Sequence, residues 1–229
     1  MRSNLALFSI LLFSCAHAQY QYGLKPAQLN EYLEQTAKNP DNELVDLEVA
    51  IPGIQLDIRY ATTNNFTGEV IYRLAKAYAR KPGAEALARV QSDLKKDGYE
   101  LKIFDGYRPY AATVKFYEVY GDTTFVASPY RGSRHNRGCA LDLTMIDSKT
   151  GRELKMPTGY DSFEAAASPT YPIKNKLARK NRDYLIAAME RHGFKVYASE
   201  WWHFDFVGWD KFDVMDIQFE ELAKIDSIK

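Results

Sequence analysis

The sequence is short of cysteine, of any surplus of one charge and of long apolar runs, and each shortage closes off a class of protein. Only Cys15 and Cys139 occur in 229 residues, so no disulfide framework holds the fold and an apolar core must do so alone. Lys and Arg number 30 and Asp and Glu also 30, interspersed throughout, without the clustered basic surplus of a nucleic-acid-binding chain. The N-terminal apolar run, Leu5 to Phe13, is too short to cross a bilayer as a helix, and no stable membrane insertion is expected. Repeats, low-complexity tracts and interior linkers are missing too, which leaves one globular domain as the reading.

Arg2 ahead of that run and Ala16-His17-Ala18 behind it have the form of a secretory signal cut after Ala18. Residues 1–18 are therefore expected to be a signal peptide, residues 19–229 a single domain, and the protein exported to the periplasm. Lipoprotein anchoring at Cys15 is the weaker alternative, because Phe13 is bulky where that pattern takes a small or β-branched residue. Without the leader, 29 basic residues face 30 acidic ones, and Cys139 is the one cysteine left. Sixteen tyrosines, three tryptophans and a hydrophobic content of 46% supply a core.

Periodicity predicts helices over Lys25–Lys38, from Pro82-Gly83 to Asp97-Gly98, over Tyr110–Tyr120 after Pro109, and over Lys174–His192 ahead of Gly193. Alternation predicts strands over Tyr99–Phe104 and Cys139–Met145, and an aromatic strand region from Phe194 to Val207. Leu44 to Tyr60 reads as two strands joined by a turn at Pro52-Gly53, whereas Asn64–Gly68 and Ser148–Thr170 read as loops. Helices thus alternate with mostly short strands in an α+β domain.

Two segments carry the chemistry: Ser133-Arg134-His135-Asn136-Arg137-Gly138-Cys139-Ala140-Leu141-Asp142 and Glu200-Trp201-Trp202-His203. A catalytic zinc takes three ligands of the His and carboxylate type and keeps a position for water, and a free carboxylate beside it serves as general base. His135, Asp142 and His203 suit the first role and Glu200 the second. His135 and Asp142, seven apart, would point to opposite faces of one straight strand, so a bend at Gly138 is required. Taken alone, His135 reads equally as a solvent-facing loop histidine, and His203 also as a hydrogen-bonded core histidine. Asp142, between Leu141 and Leu143, must find a metal or an Arg partner if buried. We place Glu200 in an approach loop and His203 on a strand, and rank Asp205 below Asp142 because it could equally orient a histidine ring. His192, at a helix end, suits the helix dipole, and Cys139 reads as a small buried hydrophobe.

The pattern Ser-x-His-x-x-Gly-x-Ala-x-Asp at Ser133–Asp142, followed by Glu-x-x-His at Glu200–His203, resembles the zinc D-Ala-D-Ala peptidases related to the VanX dipeptidases. Asp57-Ile58-Arg59-Tyr60-Ala61-Thr62, Asn65-Phe66-Thr67-Gly68 and Asp105-Gly106-Tyr107-Arg108-Pro109 follow the same branch in order, from about Leu47 to Phe206. The resemblance implies a central, mainly antiparallel sheet flanked by helices, one zinc per chain, and hydrolysis of D-alanyl-D-alanine in cell-wall turnover. It further implies Arg108 as the group that stabilises the oxyanion, Asp161 as the partner of the substrate ammonium, and Tyr60 and Ser133 as pocket residues. A small dipeptide is then the partner, and no obligate protein partner is implied. The loop Thr158–Tyr171 departs from the family, and Arg134 stands where a small residue is common. The alternatives are a carboxypeptidase or endopeptidase acting on longer stem peptides, a zinc-bearing cell-wall peptide-binding module without activity, and a non-haem iron oxygenase, whose usual His-x-Asp spacing is absent.

Overall fold

The computed structural model describes residues 21–227. The expected signal peptide and Cys15 lie outside that range. Among the described residues six α-helices and seven strands follow in chain order, the first half holding α1 (Leu29–Lys38), β1 (Leu44–Asp46), α2 (Leu47–Ala50), β2 (Gln55–Leu56), β3 (Tyr78–Arg80), α3 (Lys81–Lys96) and β4 (Tyr99–Asp105). The second half holds α4 (Tyr110–Tyr120), β5 (Ala140–Asp147), α5 (Lys176–Glu190), β6 (Phe194–Tyr197), β7 (Glu200–Phe206) and α6 (Phe219–Asp226). Five strands form the main sheet in the order β2-β4-β5-β7-β6, parallel only between β2 and β4.

Alternation decides what each face of that sheet does. On β5, Leu141, Leu143 and Met145 share one face, in register with Phe204 of β7 and with Ile103 and Leu101 of β4. These residues join Leu87, Val90 and Leu94 of α3 and Leu185, Ala188 and Met189 of α5 in a single core. Burying each such side chain contributes about 1.5–3 kcal/mol. The other face of β5 carries Asp142 and Thr144, and it too is buried.

The register then builds the site. Asp105 of β4 lies beside Asp142 of β5, and Asp142 beside His203 of β7, so that three adjacent strands put three polar side chains in one row. Asp105 reaches that row through a register shift after Ile103.

Two expectations are corrected. Leu44–Tyr60 is not a hairpin: β1 pairs with β3 in a separate two-stranded sheet, and β2 joins β4. Asp46 caps α2 by accepting from the Glu48 amide, which turns the chain out of β1 before the Pro52-Gly53 turn. Glu200 is not in a loop but is the first residue of β7. It faces Tyr197 across an irregularity in the β6–β7 ladder, which lets it share the side of His203 although the two are three apart. The first helix also starts later than Lys25, at Leu29. Three elements, α2, β3 and α6, were not expected.

Gly138 makes the bend between His135 and Asp142, with φ +70° at the end of the short 3-10 turn His135–Arg137. A Cβ there would sit 2.6 Å from Leu44 Cδ2 and 3.3 Å from the Arg80 amide nitrogen. Gly138→Ala should therefore lower the unfolding free energy by about 2 kcal/mol, read as an earlier urea midpoint at unchanged slope.

Candidate active site

The eight residues given a site role from the sequence all border one cavity of about 880 Å³: Tyr60, Arg108, Ser133, His135, Asp142, Asp161, Glu200 and His203. Among the described residues, His135, Asp142 and His203 form the group whose ligand atoms all lie within 4.8 Å of one another. His135 Nε2 is 3.2 Å from His203 Nδ1 and 3.4 Å from Asp142 Oδ1, and His203 Nδ1 is 3.1 Å from the same oxygen. Zinc bonds of about 2.0–2.1 Å in a tetrahedron put neighbouring donors about 3.3–3.4 Å apart, so the three atoms are spaced as a zinc ion requires. Asp142 Oδ1 is buried without a hydrogen-bond donor, an orphaned acceptor aimed at that point.

Each ligand is oriented by its other atom. The Nδ1–H of His135 donates to the Gly106 carbonyl at 2.7 Å, which leaves Nε2 for the metal. His203 uses the reverse tautomer, with Nε2 at 3.1 Å from Asp205 Oδ1 and Nδ1 turned inward. Tyr160 donates to Asp142 Oδ2 at 3.1 Å. Burial opposes the charge on Asp142, but the two histidines beside it hold it well below the usual carboxylate range. Burial likewise opposes the imidazolium of His203, and the carboxylates of Asp142 and Asp205 beside it outweigh that and push His203 up to about 10. The site has an electrostatic demand for a cation.

Arg108 is 8% exposed, so it is no surface residue at a turn. Its Nε and Nη2 donate to Asp105 Oδ2 at 3.0 and 2.8 Å, and its guanidinium lies 4.7 Å from the Phe116 ring. Burial disfavours its charge, and Asp105 more than restores it, raising Arg108 well above its ordinary value. Asp105 also accepts from Tyr72 and from the Gly106 amide. Glu200 Oε2 is 3.5 Å from His203 Nδ1. Its burial, together with Asp142 and against the pull of His203, pushes Glu200 up to about 7.

Asp161 has φ +58° and accepts from the Tyr60 hydroxyl at 2.8 Å. Burial of its carboxyl, and then the charge of Asp142, push it up to about 8. Ser133 Oγ accepts from the His135 amide at 3.2 Å. Outside the site, burial pushes the Cys139 thiol up to about 12, which makes it inert, and His192 pairs with Asp93 at 2.8 Å. Sequence reasoning missed Asp105 and Tyr160. Asp105 had one signal, its place three residues before Arg108.

Asp105→Asn would take away the nearest counter-charge of the buried Arg108 guanidinium, leaving Asp142 Oδ2 at 3.9 Å. Removing one partner of a buried pair costs about 3–5 kcal/mol, so this variant should unfold at markedly lower urea, and an unchanged midpoint would contradict the assignment of Arg108 to that pair.

A family profile described as D-ala-D-ala dipeptidase, peptidase M15, matches residues 40–224. A D-alanyl-D-alanine dipeptidase of Escherichia coli is 37% identical over 163 residues, 71% of this chain and 84% of that protein. Proteins of the same name from Enterococcus faecalis and Streptomyces coelicolor are 28% and 29% identical, covering 73% and 67% of this chain and 93% and 86% of those proteins. The matched span contains every one of the cavity residues named above, and the chain belongs to the D-ala-D-ala dipeptidase family of metallopeptidases.

Proposed function

We propose that this protein hydrolyses the dipeptide D-alanyl-D-alanine to two molecules of D-alanine, with one zinc ion held by His135, Asp142 and His203. The observation that carries the reading is the placement of Glu200 3.5 Å from His203 Nδ1 while Arg108 and Asp161 border the same cavity. When bound, zinc supplies Lewis acidity, polarising the scissile carbonyl and lowering the pKa of a water to about 7.

The remaining work belongs to the chain. The Glu200 carboxylate accepts a proton from the attacking water and passes it to the nitrogen of the leaving D-alanine as the amide C–N bond breaks. The Arg108 guanidinium, kept charged by Asp105, stabilises the negative charge that develops on the carbonyl oxygen. The free ammonium of the substrate pairs with Asp161, and the positive charge arriving there favours its ionised form. Tyr60 fixes Asp161, while Ser133 and Tyr60 line the approach.

A cavity of about 880 Å³ gives more room than a dipeptide needs. It lies in the upper part of the range of about 300–1,000 Å³ for drug-sized ligand sites, which favours, as a second reading, cleavage of longer peptidoglycan stem peptides. The N-acetylated analogue separates the two, because it lacks the ammonium that Asp161 receives.

Export to the periplasm is part of the proposal, supported by the apolar run Leu5–Phe13 and Ala16-His17-Ala18. Turnover of cell-wall fragments is the process in which a dipeptidase placed there would meet its substrate. Sequencing the N-terminus of protein recovered from the periplasm of an expressing cell should begin at Gln19, and an intact Met1 would overturn this part.

Purified protein should carry about one zinc per chain, release D-alanine from D-Ala-D-Ala, lose that activity on chelation and regain it with zinc. Rejection of N-acetyl-D-Ala-D-Ala supports the dipeptidase, and efficient cleavage of it favours the longer substrates. Glu200→Gln should keep its zinc and lose about 10²–10⁴-fold in kcat. No zinc and no D-alanine would sink the assignment, and a Glu200→Gln protein as active as the parent would remove Glu200 from the chemistry.

A further inference from the structure

Resting on the zinc site just proposed, we infer that Arg134 is a positioning residue of the metal centre. It fixes Asp205, and Asp205 fixes the ring of His203. The two histidines need different support. His135 is held by a backbone carbonyl, that of Gly106, which cannot rotate away. His203 is held by Asp205, whose carboxylate turns about its own side-chain bonds and must itself be secured.

The two oxygens of Asp205 are divided between two partners. Oδ1 takes His203 Nε2 at 3.1 Å, and Oδ2 takes Arg134 Nη1 at 2.7 Å. A salt bridge at a side chain that is 34% exposed would by itself contribute little. The rigidity comes from what grips the guanidinium: its carbon lies 4.8 Å from the Trp209 ring and 5.6 Å from the Tyr197 ring. Tyr197 in turn packs on His203 itself, with ring centroids 5.0 Å apart. Arg134 also directly precedes His135, so one short segment presents the first histidine and braces the second. Neither the spacing of the ligands nor their identity requires this arginine. The geometry alone assigns it.

Loss of a group that orients a ligating histidine typically weakens metal binding about 10–100-fold. Zinc affinity, measured by competition with a chromophoric chelator in the absence of substrate, should fall by about that factor in Arg134→Ala. It should fall less in Arg134→Lys, which keeps the charge but not the planar stack. Arg137→Ala is the control, because Arg137 covers the same Trp209 ring at 5.4 Å without a bond to Asp205. It should leave zinc affinity within about twofold of the parent, a change worth only RT ln 2. The visible spectrum of the cobalt-substituted protein should change in Arg134→Ala and not in Arg137→Ala.

If Arg134 acts through Asp205, adding Arg134→Ala to Asp205→Asn should weaken zinc no further than Asp205→Asn alone. Parental affinity in Arg134→Ala, equal losses in Arg134→Ala and Arg137→Ala, or additive losses in the double variant would each overturn the inference. Should Arg134→Ala fail to fold, Arg134→Lys carries the same comparison. A parent that binds zinc yet leaves D-Ala-D-Ala intact would remove the proposed function and leave this inference standing, whereas a parent that binds no zinc overturns both.

Discussion

Two carboxylates side by side in the middle of a buried sheet set the terms for everything else in this molecule. Asp105 and Asp142 are neighbours across β4 and β5, at 1% and 3% exposure, and like charges so placed are costly unless each has its own cation. The structure gives each a different nearest partner. Arg108 takes Asp105 with two of its nitrogens, and the histidines with their metal position take Asp142. The register shift after Ile103, the bend at Gly138 and the irregular start of β7 are the backbone adjustments that bring these partners into reach.

That division also separates the acids by task. Asp142 is held ionised by its neighbours and is suited to ligate a cation continuously. Glu200 and Asp161 have weaker cationic support, and burial lifts them to about 7 and about 8. Environments that push carboxyl groups apart mark different roles, which agrees with the proposed division: one acid for holding, one for taking a proton from water, and one for receiving the charge a substrate brings. The arginine network has a comparable split. Arg108 is buried beside the reacting groups, while Arg134, at the cavity wall, acts on them only through Asp205.

Helices α3, α4 and α5 and strands β4 and β5 were legible in the sequence because their apolar periodicity and their terminating residues agree. The metal ligands and Glu200 were legible as residue types at a spacing. Strand β3 was not, since it is only three residues long and ends on Arg80, a charged residue that is nonetheless fully buried. Its side chain is satisfied by carbonyls of Asn42, Arg137 and Asp213, far away in the chain. Glu200 was misplaced for a related reason: an irregular ladder, invisible in sequence, lets residues three apart on a strand share a side. Asp105, Tyr160 and the support that Arg134 gives Asp205 all depend on contacts between segments that only the sheet register brings together.

Tyr160 and Asp161, neighbours in the chain, link a proposed metal ligand to the proposed substrate clamp. Tyr160 bonds Asp142 Oδ2, and the very next residue, Asp161, holds the left-handed conformation at φ +58°, the one non-glycine residue to do so among those described. Such a conformation costs about 1–3 kcal/mol and persists only where the surroundings impose it. Here Tyr160 is stacked on Phe104 with ring centroids 4.4 Å apart, and Tyr60 grips Asp161 from the other side. A single peptide unit therefore joins the support of a metal ligand to the group proposed for the substrate ammonium. The hydrogen bonds at its two ends, Tyr160 to Asp142 and Tyr60 to Asp161, hold the proposed clamp at a set place relative to the metal ligand, so under the proposed function they constrain the span from scissile carbonyl to free amino end. A constraint of that kind suits a dipeptide, in which the separation is short and constant, and under the proposed function it is the physical basis on which peptides with a more distant amino end would be rejected.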